Sequence, residues 1–205
     1  MDVSTTRHSV PYYSQWESAS LVPEFLAGLD AGDDPLWQKS GADNPHEYAF
    51  WARRMCGVAC LRMALAFWGH QVPPSVPLVR ELSEAGAYVR NGDTVRGLIY
   101  QPFAEHVKAR WGLDARSVPD LPPERIPAAI ASGRLALLSV HPTIRTPELP
   151  PPGKGGHLVL AVGAGEEGVI IHNPSGLPGD SQEYATVAWE HLDTFYARRG
   201  VIIGE

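Results

Sequence analysis

The sequence predicts an α+β fold, with a buried central helix in a helical first part packed on a mostly antiparallel sheet. Three observations carry this. Residues from Cys56 to Trp68 are apolar on every face of a helix and hold one charge, Arg62, which places that helix inside a domain. The last third of the chain switches to short β-branched and apolar runs separated by glycine and proline. Finally, 20 glycines and 19 prolines among 205 residues disfavour a helical bundle or coiled coil. Helices first and strands second is the α+β order, and the length suits a single domain over residues 1–205.

In chain order, Val10–Trp16 reads as a short extended segment, since β-formers follow a proline that suits a sheet edge. Residues 24–47 carry Glu24, Asp30, Asp33, Asp34, Asp43 and Glu47 against Lys39 alone, with glycines and prolines between. They predict a solvated acidic loop, with a short helix near 22–28. The central helix ends at Gly69. Further helices are expected at Pro77–Ala85, at Ile99–Trp111 before Gly112, and at Ile126–Ser132. Leu135–Val140 is a compact apolar run, and a proline-rich loop covers Pro142–Pro152. His157–Val162 and Val169–His172 form a hairpin across a glycine-rich turn. Val187–Tyr196 is a helix candidate, and Val201–Ile203 is a last strand.

Composition narrows the function. A net charge of −6 with no Lys/Arg run argues against a nucleic-acid binder, whose affinity comes largely from phosphate neutralisation. Neither a secretory signal at Met1–His8 nor a membrane-spanning run is present, so a cytoplasmic protein without a membrane partner is the expectation. Two cysteines build no disulfide framework, and a Cys56–Cys60 bridge on one helix has poor geometry. No histidine or cysteine array has zinc spacing, so no metal and no cofactor is expected. Gly163, Gly165 and Gly168 match the dinucleotide fingerprint literally. A strand follows them instead of a helix, however, and Glu166 and Glu167 would meet the phosphates.

What remains is nucleophilic chemistry. Cys56 stands at the start of the buried helix, where free amides and the helix dipole favour a thiolate. Arg53 and Arg54 push the same way, and Gly57 leaves backbone room for a substrate carbonyl. Cys60, one turn further in, reads as a small core residue, which is also the competing reading of Cys56. A cysteine nucleophile needs a base. His157, after Gly155-Gly156 at the start of a strand, can turn its imidazole toward a cleft; the alternative is a core histidine. Asn173 at the end of the next strand can orient that ring, or merely begin a turn before Pro174. A regular hairpin pairing Ala164 with Val169 sets Asn173 opposite Leu160, on the wrong face. A β-bulge would bring it to His157.

Four stretches, Val10-Pro11-Tyr12-Tyr13-Ser14-Gln15, Cys56-Gly57-Val58-Ala59-Cys60-Leu61-Arg62-Met63-Ala64-Leu65, Gly155-Gly156-His157 and His172-Asn173-Pro174-Ser175-Gly176, resemble in order the bacteriocin-processing (double-glycine) peptidase-like family. That group consists of papain-like cysteine peptidases, and the likeness runs from residue 10 to about 203. It implies a papain-like fold, Cys56 as nucleophile, His157 as general base and Asn173 where the family usually has an aspartate. It also implies Gln15 as an oxyanion donor beside the Cys56 amide. Gln15 and Cys56 are far apart in the chain, with the acidic excursion between them, and Gln38 is the reserve candidate.

The expected function is a thiol hydrolase acting on an amide or peptide bond, its partner a peptide or a small amide. The same acyl-enzyme passed to an amine would make a transferase or amide synthase. A catalytically silent peptide-binding module is the third reading.

Overall fold

The computed structural model describes residues 5–205, so Met1–Ser4, part of the stretch read for a secretory signal, lie outside it. After β1 (Thr6–Arg7), the helical part holds α1 (Val22–Ala27), α2 (Pro45–Ala52), α3 (Cys56–Phe67), α4 (Ser75–Glu84) and α5 (Tyr100–Trp111). A small hairpin, β2 (Val89–Asn91) and β3 (Thr94–Arg96), interrupts it. Next come β4 (Asp114–Val118), α6 (Ile126–Ala131), β5 (Leu135–Val140), β6 (His157–Ala164), β7 (Gly168–His172), β8 (Ala185–Ala188), α7 (Trp189–Phe195) and β9 (Tyr196–Gly204).

The main sheet has the order β4-β9-β5-β6-β7-β8, with β1 beside β6, and every pair in it is antiparallel. Strand β6 is buried on both faces, and its alternation sorts two cores. Leu158, Leu160 and Val162 pack with Val58, Leu61 and Leu65 of α3. Val159 and Ala161 pack with Ile126 and Ile130 of α6 and Leu192 and Phe195 of α7. Leu61 and Leu65 are fully buried, each contributing about 2 kcal/mol of apolar burial. This fixes the amino terminus of α3 against the start of β6. The one charge in α3, Arg62, is also buried; Glu17 lies 3.5 Å away and accepts from Ser75 Oγ at 2.7 Å.

Several elements differ from the sequence reading. Residues 10–16 form no strand; β1 lies earlier, and the segment is tied to the loop after β7. Tyr12 Oη donates to the Asn173 carbonyl (2.9 Å), while Ser14 Oγ and the Gln15 amide both donate to the Pro174 carbonyl (3.0 Å).

The acidic excursion is more than solvated loop. Asp34 is fully buried and accepts from Ser18 Oγ (2.5 Å), Tyr48 Oη (2.6 Å), the Leu36 amide (2.9 Å) and the Ser18 amide (3.1 Å). Asn44 caps α2 by accepting from the Glu47 amide at 2.9 Å, and Arg80 of α4 bridges Asp43 and Glu47. A run that reads as surface charge therefore contains an internal hub. Strands β2, β3, β4 and β8 were not anticipated; they are short and largely exposed or half-buried, so they lack an apolar alternation to read. The glycine-rich turn leads from strand to strand, where the nucleotide fingerprint needs a helix to follow.

Candidate active site

Cys56 opens α3, half-buried, with Met55 as the preceding cap residue. The amides of Leu158, Gly57 and Cys56 lie against its sulfur and favour the thiolate. Burial outweighs them and pushes the thiol up. The expected help from the two arginines is diverted. Arg53 donates to the Phe25 and Leu29 carbonyls at 3.1 Å each, and Arg54 donates to the Phe50 and Asp93 carbonyls. Gly57 also differs from expectation: the space beside it is filled. A Cβ there would meet Tyr88 Oη at 3.0 Å, Leu98 at 3.1 Å and Leu158 at 3.2 Å. Close packing demands this glycine, and room for substrate does not. Cys60 is fully buried, its Sγ directed to the Leu158 carbonyl at 3.8 Å, and both thiols are free.

His157 begins β6 after Gly155 and Gly156, whose φ values of 81° and 96° suit glycine alone. Near the turn Ala164 pairs with Val169 and Gly163 with Ile170. The register then shifts, so that Ala161 pairs with Ile171 and Leu160 with His172. Continuing that register sets Asn173 opposite Val159, on the same face as His157. The bulge thus does what a regular hairpin could not: His157 Nε2 and Asn173 Oδ1 are 2.8 Å apart.

Neighbouring groups fix the roles of these atoms. The Ser175 amide donates to Asn173 Oδ1 at 3.1 Å, identifying that atom as the acceptor. His157 Nε2 therefore carries the proton, and Nδ1 keeps its lone pair. Burial lowers His157 to about 4; the Asn173 bond opposes this, and the nearby Arg145 adds to it. At neutral pH the imidazole is uncharged and the thiol protonated. No hydrogen bond joins Cys56 to His157 among the described residues, a separation common before substrate binds.

Both side chains line one cleft of about 310 Å³. Gln15 lines it too, bonding through Nε2 to the Ala52 carbonyl at 2.9 Å and keeping its second amide hydrogen. The long separation in sequence is no obstacle, because the excursion folds back and α2 ends against Gln15. Gln38 sits exposed in a 3-10 turn away from the cleft. The lining residues that sequence reasoning missed include Tyr88, Arg145 and Ser175. Ser175 Oγ lies 3.1 Å from His157 Nε2 and accepts from Arg145 Nη2 at 2.7 Å. Ser175 was findable, two positions beyond Asn173 in the quoted motif; Arg145, in the proline-rich loop, had no signal.

No protein-family model and no curated protein sequence matches the chain. Solved structures do. The peptidase domain of ComA, a bifunctional ABC transporter of Streptococcus involved in quorum sensing, superposes with a TM-score of 0.50 at 18% identity, over 74% of this chain and 92% of that domain. A C39-like peptidase from Bacillus anthracis gives 0.47 at 16% identity, over 74% and 88%. The likeness to the ComA domain shows the fold: the α+β architecture is that of a papain-like peptidase domain. Among the described residues, no helix is long and apolar enough to cross a membrane.

Proposed function

We propose that the chain is a papain-like thiol hydrolase cleaving an amide or peptide bond through an acyl-enzyme on Cys56. One observation carries the reading. The His157 ring, held through Nε2 by Asn173 Oδ1 at 2.8 Å, keeps Nδ1 unprotonated in the cleft it shares with Cys56.

His157 Nδ1 takes the thiol proton as Sγ bonds to the substrate carbonyl carbon. Because the resting pair is neutral, transfer and attack belong to one step. The oxyanion meets the Cys56 amide and the Gln15 Nε2 hydrogen, donors worth about 3 kcal/mol each to the transition state. Asn173 steadies the imidazolium by orientation alone, carrying no charge to offset it. The C–N bond then breaks, and the imidazolium hands its proton to the departing amine. Water, deprotonated by His157, attacks the thioester, releases the carboxylic acid and restores the thiol.

The experiment is a screen of peptide and N-acyl amide substrates by mass spectrometry, with and without an added amine. Wild type should turn over a substrate and carry a transient acyl adduct on Cys56, and Cys56→Ala should lose both. Full turnover by Cys56→Ala would end the proposal. Product joined to the added amine would make the protein an acyl transferase on the same intermediate. The protonated thiol and the missing Cys56–His157 bond favour a second reading, the silent peptide-binding module. Iodoacetamide separates the two: an enzyme labels Cys56 well before Cys60, and a silent module labels neither selectively.

A further inference from the structure

The walls of the cleft are cationic although the chain as a whole is not. Arg53, Arg54 and Arg145 line it, and no Asp or Glu does among the described residues, on a protein of net charge −6. Arg53 and Arg54 are committed to backbone carbonyls. Arg145 differs. It is half-buried, and burial lowers its guanidinium. Its Nε donates to the Ser175 carbonyl at 3.0 Å and its Nη2 to Ser175 Oγ at 2.7 Å, leaving Nη1 without a hydrogen bond among the described residues.

No carboxylate lies within ion-pair distance of it among the described residues, whereas the buried Arg62 faces Glu17. A partly desolvated cation without a counter-ion is stabilised by a negative group that joins it.

We infer that the cleft selects acyl substrates bearing a carboxylate, which pairs with Arg145 beside Cys56. The inference deepens the hydrolase reading and rests on Cys56 as the reacting thiol. It also gives Arg145 a use in the reaction. Empty, its charge opposes protonation of His157; a substrate carboxylate beside it cancels that opposition, so His157 becomes a stronger base when the right substrate is bound. Specificity and activation would then share one contact.

The test uses two small alkylating reagents of nearly equal size, anionic iodoacetate and neutral iodoacetamide. Labelling of Cys56 is followed by peptide mass spectrometry at about pH 8, where the imidazole is neutral and cannot itself attract the anion. The readout is the iodoacetate-to-iodoacetamide rate ratio, divided by that for free cysteine. It should lie about tenfold above free cysteine in the native chain, persist in Arg145→Lys and collapse in Arg145→Gln.

A native ratio equal to that of free cysteine, or one unchanged in Arg145→Gln, overturns the inference. If the Gln variant does not fold, protection of native Cys56 from iodoacetamide by acetate, and not by acetamide, supports the same contact; equal protection refutes it. The absolute iodoacetamide rate reports separately on the nucleophile. Slow labelling of Cys56 would therefore count against the hydrolase reading while leaving the ratio readable.

Discussion

Asn173→Asp puts a full negative charge where the structure has a neutral amide oxygen 2.8 Å from His157 Nε2. The change is sterically small, and it removes a group with no present use, since Asn173 Nδ2 is buried without a partner. With the charge centres about 4 Å apart and an effective dielectric constant of about 20, the attraction is about 4 kcal/mol, or about 3 pKa units. Part of this is offset by burying the new carboxylate, whose site is fully enclosed. Part is shared with Arg145, which reaches the same cluster through Ser175. A net rise of about 2 units is expected, taking His157 from about 4 to about 6.

Two measurements follow it. An NMR titration of the His157 ring, with Cys56→Ala in the background, reads the shift directly. The pH profile of iodoacetamide labelling reads its consequence. Wild-type labelling should keep climbing through neutrality with the rising thiolate fraction, because burial holds the thiol up. The Asp variant should label faster near pH 7, by about tenfold, as the carboxylate supports a thiolate–imidazolium pair. A His157 value that stays near 4 in the variant would refute the reasoning, because burial alone would then set the imidazole.

Two further outcomes are expected. Asp34→Ala strands the Ser18 and Leu36 amides and the Ser18 and Tyr48 hydroxyls, and should lower stability in urea by about 3 kcal/mol. Acid should destabilise the protein before most carboxylates titrate. The unfolded chain protonates His157 near 6.5 and the folded chain only near 4, so stability is complete above 6.5 and falls by about 3 kcal/mol toward pH 4. Burial lowers His172 in the same direction, and His157→Gln should flatten much of the slope when urea midpoints are compared across that range.

The helices at 56–67, 75–84, 100–111 and 126–131 were legible to within a few residues, the first from its all-round apolar pattern, and Gly69 and Gly112 marked the ends of the first and third. Strand β6 was legible as a strand, but its bulge was not: residues on both faces are apolar and buried, so no polar alternation records where the register slips. Charge patterning misled at Asp34, which bears the same side chain as its solvated neighbours and differs only in being folded over. It misled again at Arg53 and Arg54, which stand beside Cys56 in the chain and spend their donors on backbone carbonyls. Arg145 reaches His157 only through a tertiary contact with Ser175, thirty positions away, and no local pattern encodes such a meeting. Cys56, His157 and Gln15 were readable as residues to look for in one cleft, whereas Arg145 and the charge it brings there were not.

The slip between Ala161 and Gly163 makes the pairing of base and orienter a question of parity. Along the sixteen steps from His157 to Asn173, removing one residue from the bulge would turn Asn173 to the opposite side of the sheet and leave the imidazole unheld. Removing or adding two would slide the partners along the strands and keep them on a common side. Length variation in this hairpin is therefore filtered by odd and even, and a change invisible to composition, hydropathy or helix content would separate a working ring from an idle one.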